Sequence, residues 1–185
     1  MKLAIVLAIG FAFASVRAVQ AANPVVVVDT SMGEISIELF EDKSPITVKN
    51  FLDYVEAKHY DGLIFHRVIP GFMIQGGGME PGMKERKTRD PIKNEASNGV
   101  SNERGTIAMA RTNNPDSATG QFFININNNT NLNKNAASAG YCAFGRVIKG
   151  MEVVDKIKDV PTGNKGPHGD VPTTDVTIKS IRKSS

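Results

Sequence analysis

Residues 65–78, Phe65-His66-Arg67-Val68-Ile69-Pro70-Gly71-Phe72-Met73-Ile74-Gln75-Gly76-Gly77-Gly78, set one guanidinium and one side-chain amide among large apolar residues and close on three glycines. Phe65, Val68 and Ile69 predict a strand, and Pro70-Gly71 predicts the turn that ends it. Successive side chains on a strand take opposite faces. With Phe65 in the core, His66 and Arg67 point to opposite sides, and Arg67 emerges beside whatever Phe72, Met73 and Gln75 line after the turn. The expected product is a charged fork at the edge of an apolar pocket. The competing reading is an arginine paired with a surface acid and a Phe-Met pair in the core.

Other chemistries fit the stretch poorly. Gly71 and Gly76 have the four-residue gap of a phosphate-binding loop, but Gly77-Gly78 stand where its lysine and hydroxyl should follow. A hydrolase or metal site would need partners for His66, and the other histidines are His59 and His168. There is no G-x-S-x-G elbow and no carboxylate cluster at ligand spacing. His66 reads as a structural, hydrogen-bonding residue.

Outward from this stretch, short apolar runs recur: VVVVDT from Val25, EISIELF from Glu34, LIFHRVI from Leu63, TIAMAR from Thr106, QFFINI from Gln121, CAFGRVI from Cys142 and VTIKSI from Val176. Their β-branched content and period of two predict strands with one buried face. TSMGE predicts a hairpin turn between the first two. Two stretches carry helical spacing instead. In SPITVKNFLDYVEA, Ser44 is the expected N-cap and Pro45 the first helical residue, and GMEVVDKIKDV from Gly150 repeats the pattern. Many strands and two helices predict a mainly β fold, a closed antiparallel barrel whose ends the helices cap. Asn125 to Asn135 holds seven asparagines in eleven residues, which predicts a loop tied by side-chain hydrogen bonds.

Residues 1–21 have a lone Lys2, an apolar run from Leu3 and a small-residue exit at Val19-Gln20-Ala21. This is the layout of a secretory signal peptide, and the run falls short of the roughly 20 residues that cross a bilayer. Cleavage is expected after Ala21 or Ala22, leaving residues 22–185 as one domain. Losing Lys2 and Arg17 leaves 20 bases against 19 acids. That near-neutral balance, with no basic cluster interleaved with aromatics, gives no electrostatic footprint for nucleic acid. Cys142 is the single cysteine, so no intramolecular disulfide supports the fold, and its neighbours Tyr141 and Ala143 predict a buried, inert thiol.

YDGLIFHRVIPGFMIQGG from Tyr60 resembles the signature of the cyclophilin family of peptidyl-prolyl cis-trans isomerases, at Tyr60, Phe65, His66, Arg67, Phe72, Gln75 and Gly77. GTIAMAR from Gly105, SATGQFFI from Ser117 and FGRVIKGMEVVDKI from Phe144 extend the likeness over nearly the whole mature chain. With its leader the chain is most similar to the periplasmic cyclophilins of Gram-negative bacteria. The resemblance implies an eight-stranded antiparallel β-barrel capped by two helices. It implies Arg67 as the catalytic arginine and Gln75 as its polar companion. Phe72, Met73 and Phe123 would form the proline pocket, with Ala110 and the backbone of Arg111 beside the substrate chain. Leu132 would close the pocket, and Tyr141 stands where many members have histidine. The chain has no tryptophan, and Asn131 stands where cyclosporin-sensitive members carry an indole. Tight drug binding is therefore not expected.

These residue types suit prolyl isomerisation. Amide resonance resists rotation by roughly 18 to 20 kcal/mol, and turning an X-Pro bond breaks no covalent bond. Rotation localises the lone pair on the prolyl nitrogen, so a donor placed there stabilises the twisted state more than either planar one. Arg67 would supply that donor, an apolar grip would hold the ring, and the terminal glycines would let backbone pass close to the peptide. No metal, cofactor or nucleophile is required. The expected partners are proline-containing polypeptides in the periplasm, met by a monomer with no stable membrane association after processing. A peptide-binding or holdase module with incidental isomerase activity is the alternative.

Overall fold

The computed structural model describes residues 22–184. The signal-peptide reading of residues 1–21 lies outside the described residues. Strands β1 (Val25–Thr30) and β2 (Gly33–Leu39) form the expected hairpin. Its turn is held by Thr30, whose hydroxyl donates to Gly33 O at 2.7 Å and accepts from Met32 N at 3.0 Å. There follow α1 (Pro45–Glu56), β3 (Ile64–Ile69), β4 (Met73–Glu80) and the short β5 (Lys84–Glu85). Then come β6 (Thr106–Met109), β7 (Phe122–Asn125), a 3-10 turn (Thr130–Leu132), β8 (Ala143–Lys149) and α2 (Met151–Lys158). The chain ends with β9 (Thr162–Lys165), β10 (His168–Pro172) and β11 (Ile178–Lys183).

Eight strands run in the order β11-β1-β2-β8-β6-β7-β4-β3, all pairs antiparallel. The two ends of this path meet. Gly62 N donates to Ile178 O at 2.9 Å, Ile178 N to Leu63 O at 2.7 Å and Phe65 N to Val176 O at 2.9 Å. The sheet is thus a nearly closed barrel, as expected. The seven apolar runs supply seven of its strands, and the eighth, β4, begins inside the signature stretch itself. Hairpin β9-β10 stands apart from the barrel ladder.

Inward residues alternate with outward ones. Ile35, Ile37, Leu39, Ile74, Ile107, Met109, Phe122, Ile124 and Phe144 fill the barrel, and α1 closes one end with Val48, Phe51, Tyr54 and Val55. Phe51 packs on Tyr60, Phe122 and Phe144 with ring centroids at 5.2, 5.7 and 5.4 Å. Along α2, Val153, Val154 and Ile157 are buried, the i, i+3/i+4 stripe of a helix resting on a core.

Ser44 occupies the N-cap position of α1 but makes no side-chain cap bond. Its hydroxyl is fully buried and takes the Asn98 amide at 2.6 Å. The cap comes from Glu95, whose carboxylate accepts from the backbone nitrogens of Ile46 and Thr47. Cys142 is 4% exposed, lies 3.5 Å from Thr47 Oγ1, and burial pushes its thiol pKa up, as an inert cysteine requires.

Candidate active site

The site begins with two irregularities in the β3-β4 ladder. Phe65 pairs with Gly76 and Arg67 with Gln75, so His66 is an extra residue on β3. Strict alternation would put Arg67 on the same inward face as Phe65, so the outward position expected from the sequence is reached through the bulge and not through alternation. The bulge re-phases the strand: Phe65 and Val68 are fully buried while Arg67 stands on the outer face with 45% of its side chain exposed. On the other strand, the register slips between Ile64↔Met79 and Phe65↔Gly76, and the slip is taken up by Gly77 and Gly78.

Those glycines answer to the protein's own packing and not to a passing peptide. Gly77 has φ +85°, and a Cβ there would meet Gly120 O at 2.9 Å and the Phe122 and Tyr60 rings at 3.0 Å. A Cβ on Gly78 would meet the Gln121 side chain at 2.5 Å. The expectation of close substrate approach at these glycines is therefore replaced by close approach of the barrel's own aromatics and of Gln121.

On the outer face, Met73, Ala108, Phe123 and Ala143 form a second, small apolar cluster, with Ile69, Phe72, Val100, Ala110, Leu132 and Tyr141 packed around it. The alternation explains it, since Phe122 and Ile124 face the barrel interior while Phe123 between them faces out. Gln75 pairs with Phe123 and Ala108 pairs with both Phe123 and Ala143, which brings four strands to one spot. A cleft of about 220 Å³ opens there, lined by Arg67, Phe72, Met73, Gln75, Ala110, Arg111, Phe123, Leu132 and Tyr141. All nine residues singled out in the sequence line this one cleft.

The asparagine-rich loop builds its wall. Asn129 Nδ2 donates to Phe72 O at 2.8 Å and to Asn125 Oδ1 at 2.7 Å, and Asn125 Nδ2 donates to Thr106 Oγ1 at 2.9 Å. Asn102 Nδ2 donates to Tyr141 O at 3.0 Å and to Asn133 Oδ1 at 3.1 Å, while Tyr141 N donates to Leu132 O at 2.8 Å. Phe72 and Leu132 are thus fixed through their backbones by buried amides, as the composition of the loop leads one to expect. Tyr141 stands edge-on to Phe123 at 5.8 Å, and the Arg111 guanidinium lies 4.4 Å from the Tyr141 ring centre. Arg111 Nε donates to Gly140 O at 3.0 Å, holding it there. Asn131 is exposed on the 3-10 turn, next to Leu132.

Arg67 differs from the other arginines. Arg86, Arg89, Arg104, Arg111, Arg146 and Arg182 each donate side-chain hydrogen bonds within the chain. Among the described residues Arg67 alone donates none, and its one partner is Asp170, Nε to Oδ2 at 3.6 Å. Gln75 Nε2 donates to Gln121 Oε1 at 3.0 Å. Sequence reasoning missed Gln121, although its place two residues before Phe123 on an alternating strand puts it on the outer face. It missed Asp170 as well, which follows Gly169 in a stretch without apolar periodicity.

His66 is buried at 6% exposure, and among the described residues its Nδ1 has no hydrogen-bond partner. Burial pushes its pKa down to about 4, so near neutral pH it is an uncharged imidazole. Among the described residues no group of three or more His, Cys, Asp and Glu could hold a metal ion.

Comparison with known proteins gives one consistent result. Residues 25–183 match the family described as cyclophilin type peptidyl-prolyl cis-trans isomerase. The chain is 58% identical over 164 residues to a peptidyl-prolyl cis-trans isomerase of Acinetobacter baylyi, covering 89% of this chain and 87% of that one. It is 59% identical over 158 residues to peptidyl-prolyl cis-trans isomerase B of Escherichia coli, covering 84% and 96% respectively. A crystal structure of a Cryptosporidium parvum cyclophilin type peptidyl-prolyl cis-trans isomerase, in the presence of the dipeptide Ala-Pro, superposes with a TM-score of 0.76 at 28% identity, covering 87% of this chain and 99% of that one.

Proposed function

The chain belongs to the cyclophilin-type family of peptidyl-prolyl cis-trans isomerases, and from that premise we propose that it turns X-Pro bonds of exported polypeptides with Arg67 as the catalytic residue. The single observation that carries this reading is the unspent guanidinium of Arg67 at the rim of an apolar cleft.

Phe72, Met73, Phe123 and Leu132 take the proline ring. Their apolar walls strip water from the planar, charge-separated amide, whose twisted form is less polar and loses less by leaving water. The Arg67 fork then has two tasks. One N–H holds the carbonyl of the proline, and another meets the prolyl nitrogen as rotation returns its lone pair. Gln75, fixed by Gln121, is the polar companion, and Ala110 with the backbone of Arg111 runs beside the residues before proline. A five-decade acceleration needs only about 7 kcal/mol from these contacts together. No step calls for a nucleophile, a metal or a cofactor.

Residues 1–21 direct export, the mature domain spans 22–185, and the protein assists folding in the periplasm as a monomer without stable membrane association. What supports this is the short apolar leader and a mature chain with no footprint for nucleic acid. Among the described residues no helix is long and apolar enough to cross a membrane. The intact mass of exported protein tests the leader, and retention of residues 1–21 in a membrane fraction would overturn it. A protease-coupled prolyl-peptide assay tests the site. If Arg67→Ala abolishes turnover yet leaves peptide affinity intact, isomerisation is the function of the cleft. If it weakens peptide binding and turnover alike, the cleft is a binding or holdase groove with incidental activity, and if it leaves turnover unchanged, Arg67 is not the catalytic residue.

A further inference from the structure

Arg67 stands between two openings. On one side is the proline cleft, and on the other a recess of about 270 Å³ bordered by His66, Met83, His168 and Asp170. One wall of the recess is hairpin β9-β10, which joins no strand of the barrel and lies against β3. The hairpin's register slips between His168 and Val171, so Gly169 and Asp170 bulge out of it. Asp170 has φ +60°, one of three non-glycine residues in the left-handed region among the described residues. Aspartate tolerates that conformation better than most residues. The kink brings its carboxylate to Arg67 Nε, with nothing else in the described chain holding the guanidinium.

We propose that Asp170 is a positioning residue for isomerisation. By engaging the Nε edge it fixes the plane of the fork and leaves both terminal amino groups free for substrate. Without it, a guanidinium on a flexible stem would divide its time between cleft and recess. The pair is about half exposed on each side, 45% and 48%, so it contributes little to stability. Its effect lies in where the donors point.

The inference rests on the assignment of Arg67 to bond rotation, and the experiment separates the two. Asp170→Asn keeps the shape and the left-handed tolerance while removing the charge. Asp170→Gly is the second variant should the first fold poorly, since glycine adopts this φ without strain. Each is expected to lower kcat on a prolyl peptide about threefold to fivefold with KM and Tm nearly unchanged. In an Arg67→Ala background the same substitutions should change nothing, because a residue that acts through another loses its effect when that other is gone. The Nε–H resonance of Arg67 should shift in Asp170→Asn while that of Arg182 stays in place. Full kcat in the folded variants, or the same fractional loss in the Arg67→Ala background, overturns the proposal. Full activity of Arg67→Ala by itself overturns the assignment of Arg67 and this inference with it.

Discussion

Glu95 Oε2 accepts two hydrogen bonds from Thr47, one from its backbone nitrogen at 2.8 Å and one from its hydroxyl at 2.7 Å. A carboxylate at the first turn of a helix satisfies otherwise orphaned N–H groups and complements the helix dipole. It also ties α1 to the long segment between β5 and β6. Glu95→Ala is expected to cost about 1 to 2 kcal/mol and to lower Tm by several degrees, with kcat/KM of the folded protein unchanged. Differential scanning calorimetry beside the peptide assay checks it. Equal Tm would mean that water replaces the carboxylate at no cost.

Arg67→Ala is expected to lower kcat/KM at least about tenfold, roughly 1.4 kcal/mol of transition-state stabilisation, at nearly constant Tm. The residue has no internal hydrogen bond to lose. Arg67→Lys should rescue poorly, because an ammonium cannot serve two acceptors as a planar fork does. Loss of the fold on substitution would return Arg67 to a purely structural role.

The two bulge glycines should separate stability from activity. Gly77→Ala forces a side chain into positive φ against backbone and two rings and is expected to cost about 2 kcal/mol or more. At Gly78 the obstacle is the flexible end of Gln121. Gly78→Ala should push that amide off Gln75, lowering kcat/KM while sparing most of the Tm. Thermal melts and turnover of the two variants, measured together, decide it; a reversed pattern would refute this account of the glycines.

His66 sets an acid limb on stability. Its folded pKa of about 4 lies below the ordinary histidine value of 6.5, so the unfolded chain binds the proton first. Stability from the neutral, buried ring is full above pH 6.5, falls as pH drops toward 4, and levels off below. The loss approaches about 3 kcal/mol at the bottom of that window. His59 is lowered too, by burial and then by Arg86, and adds to the same limb. His66→Gln should flatten the slope of unfolding free energy against pH by up to one proton, as read by urea titrations at several pH values. An unchanged slope would show that the ring is already solvated.

Much of this was legible from residue order, and the exceptions share a physical cause. Val25–Thr30 as β1, the Thr30-Gly33 hairpin and the two amphipathic helices follow from periodicity that a barrel enforces along each element. Strand β4 was hidden because Gly76, Gly77 and Gly78 have no side chains to alternate, and the bulge at His66 was hidden because alternation is the assumption it breaks. The cap of α1 comes from a residue far along the chain, and Ser44, the local candidate, is spent on Asn98. The same holds at the cleft. Side chains within the signature stretch announce themselves by type, whereas Asp170 reaches Arg67 from a hairpin of glycines, prolines and polar residues whose pattern points nowhere.

The seam between β3 and β11 ties the protein to the order of its own synthesis. β1 is made before the other strands but lies between β2 and β11, and Ser184 N donates to Val25 O at 2.7 Å at the head of β1. While the ribosome is still adding Ile178–Lys183, both β1 and the strand that bears Arg67 lack one neighbour. Pairing strands this far apart in sequence carries a large loop-closure cost and is slow. The ring can therefore shut only once β11 has been made and released from the ribosome, and a nascent copy without it has an incomplete barrel behind its own guanidinium.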